Sequence, residues 1–166
     1  MLLVRAARPE DADGVARVHV RSWQAGYRGI LADEYLDGLR PEDRAARYTF
    51  GSTDPDVPST IVAAEDGVIC GFATTGPSDI PGRGELFALY VDPDAWRTGV
   101  GRRLITDARA HLHGAGFTEA ALWVLDGNDR AERFYRIDGW RPDGRRRRDE
   151  IWGVTVDEAG WVRPLP

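Results

Sequence analysis

The chain has 166 residues, 42% hydrophobic and 30% charged, which suits a single globular domain over residues 1–166 and argues against disorder. No apolar run nears the roughly 20 residues of a membrane-spanning helix, and Met1-Leu2-Leu3-Val4-Arg5 meets a charge too early for a secretory signal. A cytoplasmic location without a membrane partner is expected. The net charge of −5 disfavours nucleic acid as a partner. All basic residues are arginine, which excludes a Schiff-base lysine and a lysine-bearing phosphate loop.

Leu2 to Ala6 reads as a first strand. Pro9 suits the first position of a helix, and Glu10 and Asp11 suit its positive end. Val15, Val18, Ser22 and Trp23 keep a rough helical spacing up to Gly26. Arg28 to Leu39 reads as loop with one short helix. Pro41-Glu42-Asp43 opens another helix, to about Phe50. After a polar loop, Ile61 to Ala64 and Val68 to Ala73 flank Asp66-Gly67, a strong hairpin signal. Cys70, the sole cysteine, lies in the apolar run Val68 to Phe72 and reads as a core thiol; no internal disulfide or thiolate metal cage can form.

Gly76 to Gly84 reads as loop and Leu86 to Val91 as a buried strand. The turn Asp92 to Gly101 enters a helix with Val100, Leu104, Ala108 and Leu112 on one face, ending near Gly114-Ala115-Gly116. His111 and His113, two apart on that helix, point to different sides, and no metal is expected. Ala120 to Leu125 is a strand, Asp126-Gly127-Asn128 a turn, and Arg130 to Ile137 a short helix stopped by Gly139. The run Arg145 to Arg148 reads first as a solvated loop and second as a phosphate or partner patch. Ile151 to Val156 is a late strand and Trp161 to Pro166 a tail. The order describes one α/β domain with a mixed sheet.

The segment Leu86 to Leu104 is the most informative. A buried strand runs into a glycine-bearing turn that becomes the first turn of a helix. The first N–H groups of a helix have no internal partners, and glycines leave them open to a phosphate. Arg97, Arg102 and Arg103 add positive charge nearby. An ordinary glycine turn before an ordinary helix is the competing reading.

Val91-Asp92-Pro93 with Arg97-Thr98-Gly99-Val100-Gly101-Arg102-Arg103-Leu104 resembles the acyl-CoA loop of the GCN5-related N-acetyltransferase (GNAT) family. Leu122 to Trp140, with Asn128, Phe134 and Tyr135, is similar to that family's next strand, asparagine turn and tyrosine helix. The resemblance implies an α/β (α+β) fold: a mixed, mostly antiparallel sheet flanked by helices, with two splayed parallel strands, Leu86–Val91 and Ala120–Leu125, that clamp the pantetheine arm. It implies acetyl-CoA as cosubstrate, paired with the backbone of Leu89, Tyr90 and Val91. The pyrophosphate would sit on N–H groups of Arg97, Thr98, Gly99, Val100, Gly101 and Arg102, with Asn128, Ala131 and Tyr135 beyond. The family usually has Gln or Arg where this chain has Trp96, which puts a side-chain contact to the pyrophosphate in doubt.

The implied reaction is acetyl transfer to a primary amine of a small acceptor by direct attack in a ternary complex. Tyr135 takes the family's general-acid position, because a phenol of pKa about 10 keeps its proton at neutral pH. Asn128 also suits an N-cap. The oxyanion donor is expected to be a backbone N–H on the strand Leu86 to Val91, at a bulge. For the base, Glu85, Asp126 and a water relay stand as alternatives, and Glu85 also reads as a solvated loop-end residue. Trp23 and Tyr27 form an acceptor wall in one reading and helix-end packing in the other; the acidic surplus mildly suits a cationic amine. Trp152, Trp161 and the tail point to a homodimer, or to core packing. A non-catalytic acyl-CoA-binding module and an unrelated phosphate binder are the competing functions.

Overall fold

The computed structural model describes residues 1–166. One seven-stranded sheet has the order β1-β2-β3-β4-β5-β7-β6. The strands are β1 Leu2–Ala6, β2 Ser59–Glu65, β3 Val68–Pro77, β4 Arg83–Val91, β5 Glu119–Leu125, β6 Arg141–Ile151 and β7 Val154–Pro164. All neighbours are antiparallel except β4 and β5. The helices are α1 Ala12–Gly26, α2 Asp33–Asp37, α3 Pro41–Ala45, α4 Val100–Gly114 and α5 Asp129–Ile137. No helix is long and apolar enough to cross a membrane.

The sheet is packed on both faces because its strands supply apolar side chains to both. On one face α4 brings Val100, Leu104, Ile105, Ala108 and Leu112 against Ala73, Leu86, Leu122 and Trp161. On the other, α1 brings Val15 and Val18 against Val62 and Phe72, and Trp23 and Tyr27 against Leu125 and Val156. Burying a side chain such as Leu104 or Phe72 contributes roughly 1.5–3 kcal/mol.

The parallel pair holds together over one end only. Arg83, Gly84 and Glu85 pair with Glu119, Ala120 and Ala121, and beyond them the strands part. The register of β3 against β4 slips between Thr74 and Thr75, so that Phe87 is an extra residue on β4. Such a bulge bends the strand that carries it. Both the expected splay and the expected bulge are present.

Several boundaries differ from the sequence reading. The helix opened by Pro41 stops at Ala45; Tyr48 and Phe50 then pack as loop residues on the core. Arg145 to Arg148 lie within β6, not in a loop. Alternate arginines face opposite sides: Arg145 and Arg147 lie over the Trp123 ring at 4.6 and 4.4 Å, while Arg146 pairs with Asp126 and Arg148 with Asp157. Asp126 lies 20 residues before Arg146, and Asp157 is on the facing strand β7, so the run by itself reads as solvated. Ile151 to Val156 is split by the turn Trp152-Gly153, whose φ values of 50° and 79° repeat the left-handed pair at Asp66-Gly67. Trp161 belongs to β7 and is fully buried. The tryptophans behind the homodimer expectation thus pack within the chain, Trp152 against His19, Trp23 and Arg44.

Candidate active site

The parting of β4 and β5 opens a cavity of about 900 Å³ lined by both strands, the loop before α4, α5 and the end of α1. Its β4 edge carries backbone groups that no neighbouring strand pairs. Asp92 N–H donates to the Cys70 carbonyl at 2.8 Å, so Asp92 and Cys70 form a hydrogen-bonded pair. Alternation makes Tyr90 and Phe72 the next such pair. Leu89 and Val91 therefore turn their N–H and C=O groups into the gap. Of Leu89, Tyr90 and Val91, these two face the gap with their backbone. Tyr90 lines the cavity with its side chain.

The α4 loop builds the far end. Arg97 has φ 64° and Gly99 φ 96°, both left-handed. No atom lies within 4 Å of a Cβ built at Gly99, so glycine serves the conformation there and not the space. At Gly101 a Cβ would meet the Phe134 ring at 3.3 Å, so glycine serves close packing. Gly99 caps α4 without any side-chain hydrogen bond, which leaves the first N–H groups of the helix open. A nest of this kind, with Arg97 and Arg102 on its rim, fits an anionic phosphate.

Arg97, Gly99, Gly101, Arg102, Asn128, Ala131, Tyr27 and Tyr135 all line the cavity. Thr98 and Val100 do not: the Thr98 hydroxyl donates to the Ala95 carbonyl, and the Val100 side chain is in the core. Asn128 accepts the Ala131 N–H at 3.2 Å and so acts as an N-cap while facing the cavity. Trp23 is buried in the core behind Tyr27 and forms no wall. Glu85 stands at the fork of the two strands, also outside the wall. Burial raises its carboxyl pKa, tempered by Arg147. Asp126 is engaged by Arg146.

Three phenols meet inside. The hydroxyls of Tyr27 and Tyr90 are 3.4 Å apart. Burial drives the pKa of Tyr135 far above its ordinary value, the field of Tyr90 adds to this, and Arg130 opposes it. Tyr135 thus keeps its proton throughout the neutral range.

Trp96 and Arg130 were not assigned a role from sequence. The Trp96 indole N–H donates to the Val91 carbonyl at 2.8 Å, so it is spent on the strand and not free for a phosphate. Its ring carries the Arg130 guanidinium at 3.8 Å. Both residues line the cavity. Nothing in the sequence distinguishes Arg130 from Arg133 or Arg136 on the same short helix.

A family pattern described as "Acetyltransferase (GNAT) family" matches residues 20–140. The chain is 33% identical to the uncharacterized N-acetyltransferase YuaI of Bacillus subtilis over 96% of this chain and 91% of that one. In fold it is similar to the PaiA N-acetyltransferase of Thermoplasma acidophilum, solved in complex with coenzyme A, with TM-score 0.77, 21% identity and 99% of each chain covered. A GCN5-related N-acetyltransferase from Rhodopseudomonas palustris gives TM-score 0.75 at 22% identity, covering 98% of this chain and 95% of that one.

Proposed function

The chain belongs to the GNAT acetyltransferase family, and from that premise we propose that it moves an acetyl group from acetyl-CoA to the primary amine of a small acceptor, by direct attack in a ternary complex. The observation that carries this reading is the splay of β4 from β5, which opens beside the uncapped N-terminus of α4. An elongated donor with a phosphate end and an amide-bearing arm matches both features. Acetyl-CoA supplies the activated acyl carbon and a thiolate leaving group.

The residues divide the work. Backbone N–H groups from Arg97 to Arg102 take the pyrophosphate. Leu89 and Val91 offer backbone groups to the pantetheine arm, although Trp96 already occupies the Val91 carbonyl. A β4 N–H near the Phe87 bulge receives the charge that builds on the thioester oxygen. The amine nitrogen forms the new bond to carbon as the carbon–sulfur bond breaks. Tyr135 gives its proton to the departing sulfur. Glu85, outside the wall but held in a proton-attracting setting, takes the amine's proton through water. Tyr27 contributes to the acceptor side.

The test has two arms. Calorimetry with acetyl-CoA and with ATP should show binding of the first only. Thiol release with a panel of amines should then identify acceptors. Acetyl-CoA binding without turnover of any amine would refute the catalytic reading, and equal binding of ATP would refute the donor assignment.

A further inference from the structure

The wall of the cavity is one-sided in charge. Five arginines line it, at 97, 102, 109, 130 and 133, against one carboxylate, Asp138. That carboxylate is bound by Arg109 at 2.8 and 2.9 Å. Arg97 belongs to the loop before α4, Arg102 to the first turn of α4, and Arg133, exposed like Arg130, to α5. Arg130 differs from all of these. It reaches inward from the first turn of α5 towards the end of α1, and a Cβ at Gly26 would come within 2.8 Å of one of its terminal nitrogens. It lies flat on Trp96, and Trp96 is anchored to β4. Three elements are thus shaped around one guanidinium that forms no ion pair. It lines the same cavity as Tyr27 and Tyr135.

The Arg130 guanidinium reaches solvent, carries no acid partner and is held in one orientation by the Trp96 ring, so it stands ready to take an anion. On the reading of the cavity as an acetyl-transfer site, we propose that the acceptor is a primary amine bearing a carboxylate, the chemistry of an amino acid, and that Arg130 is the binding residue for that carboxylate. A planar guanidinium backed by an indole is suited to paired hydrogen bonds with a carboxylate. The same cation disfavours the protonated form of an amine held beside it, which keeps the nucleophile neutral without a carboxylate in the wall. A polyamine would bring several positive charges to a wall that already has an excess of them. The acidic surplus of the whole chain is therefore no guide to the acceptor: the charge that matters is local and has the opposite sign.

The experiment compares L-amino acids, their carboxamides and spermidine, for thiol release and for calorimetric binding to the enzyme–CoA complex, in the wild type and in Arg130→Gln, Arg130→Lys and Trp96→Leu. Wild type should favour carboxylates over the matching amides at least tenfold in kcat/KM, mainly through KM. Arg130→Gln should bring that ratio close to one, while Arg130→Lys keeps part of it. Trp96→Leu should give an intermediate ratio. Acetyl-CoA affinity should change less than threefold in Arg130→Gln. A wild-type preference for amides or spermidine overturns the proposal. So does a loss in Arg130→Gln of acetyl-CoA affinity equal to its loss of turnover, which would assign Arg130 to the donor. If no amine releases thiol, acetyl transfer fails, and the binding arm still decides: carboxylate binding that Arg130→Gln abolishes supports the inference, and no discrimination between acid and amide sinks it.

Discussion

Tyr135 combines a phenol that holds its proton with a place in the wall of the strand gap. Its ring packs edge-on to Phe134 and Trp140, with centroids 5.3 and 6.0 Å apart. No protein hydrogen bond is assigned to its hydroxyl, so Tyr135→Phe removes a functional group and leaves packing intact. Stability and acetyl-CoA affinity should hold within measurement error. Turnover should fall by roughly 10²-fold or more if this hydroxyl protonates the sulfur. The loss should appear in kcat, because the proton is needed only as the bond breaks. Wild-type turnover under conditions where chemistry limits would remove Tyr135 from the mechanism and leave water or the amine as the donor.

The loop before α4 is where an element, and no single side chain, makes a site. Its left-handed residues at 97 and 99 turn the first N–H groups of the helix towards the cavity. A non-glycine residue held left-handed costs on the order of 1–3 kcal/mol, which the surroundings must offset. Gly101→Glu would put an anion at the rim and crowd Phe134. CoA affinity should drop tenfold or more, equivalent to ~1.4 kcal/mol. Gly101→Ala, which crowds Phe134 equally and adds no charge, separates the two effects by calorimetry. Equal losses in both would mean that packing of Phe134, and not phosphate, explains the glycine. The β6–β7 hairpin shows a different device. Trp152 is no turn residue, yet it takes φ 50°. Tyr35 donates to its carbonyl, and Arg44 sits 4.5 Å from its ring.

At the scale of the whole molecule, both faces of the sheet are dry enough to alter titration. His19 is 5% exposed among Trp23, Phe72, Tyr90 and Trp152. Burial, with the charge of Arg44, pushes its pKa down to about 3. A ring neutral in the folded chain and protonated in the unfolded one means that the unfolded state binds more protons between pH 3 and about 6.5. Stability must then fall as pH falls through that window. Between pH 7 and 5, above the range of ordinary carboxylates, the loss should be about 2 kcal/mol. Urea midpoints at the two pH values check this, and His19→Gln should lose much less over the same interval. An equal loss in the variant would mean that other groups set the acid limit.

Much of the fold was legible because it rests on local chemistry. Asp66-Gly67 is a turn wherever it falls, Pro9 and Pro41 open helices, and the alternation of faces marks the strands. The α4 loop could be read because an N-terminus with glycines has the same unsatisfied groups in any context. Asn128 and Tyr135 could be read only through resemblance, since capping and packing explain each equally well in isolation. The parts that escaped the sequence depend on which strand or helix folding brings alongside. The arginines of β6 become a strand because Asp126, Asp157 and Glu158 come to meet them. Trp23 and Glu85 fall outside the cavity wall because side-chain direction is set by strand pairing and helix rotation. Sequence alone determined the family resemblance, the glycine-bearing turn before α4 and the absence of a lysine. Tertiary structure decided which charge faces the acceptor: Arg130 is held at the cavity by Trp96, which precedes it by 34 positions, and a charge's effect depends on distance through space, not along the chain.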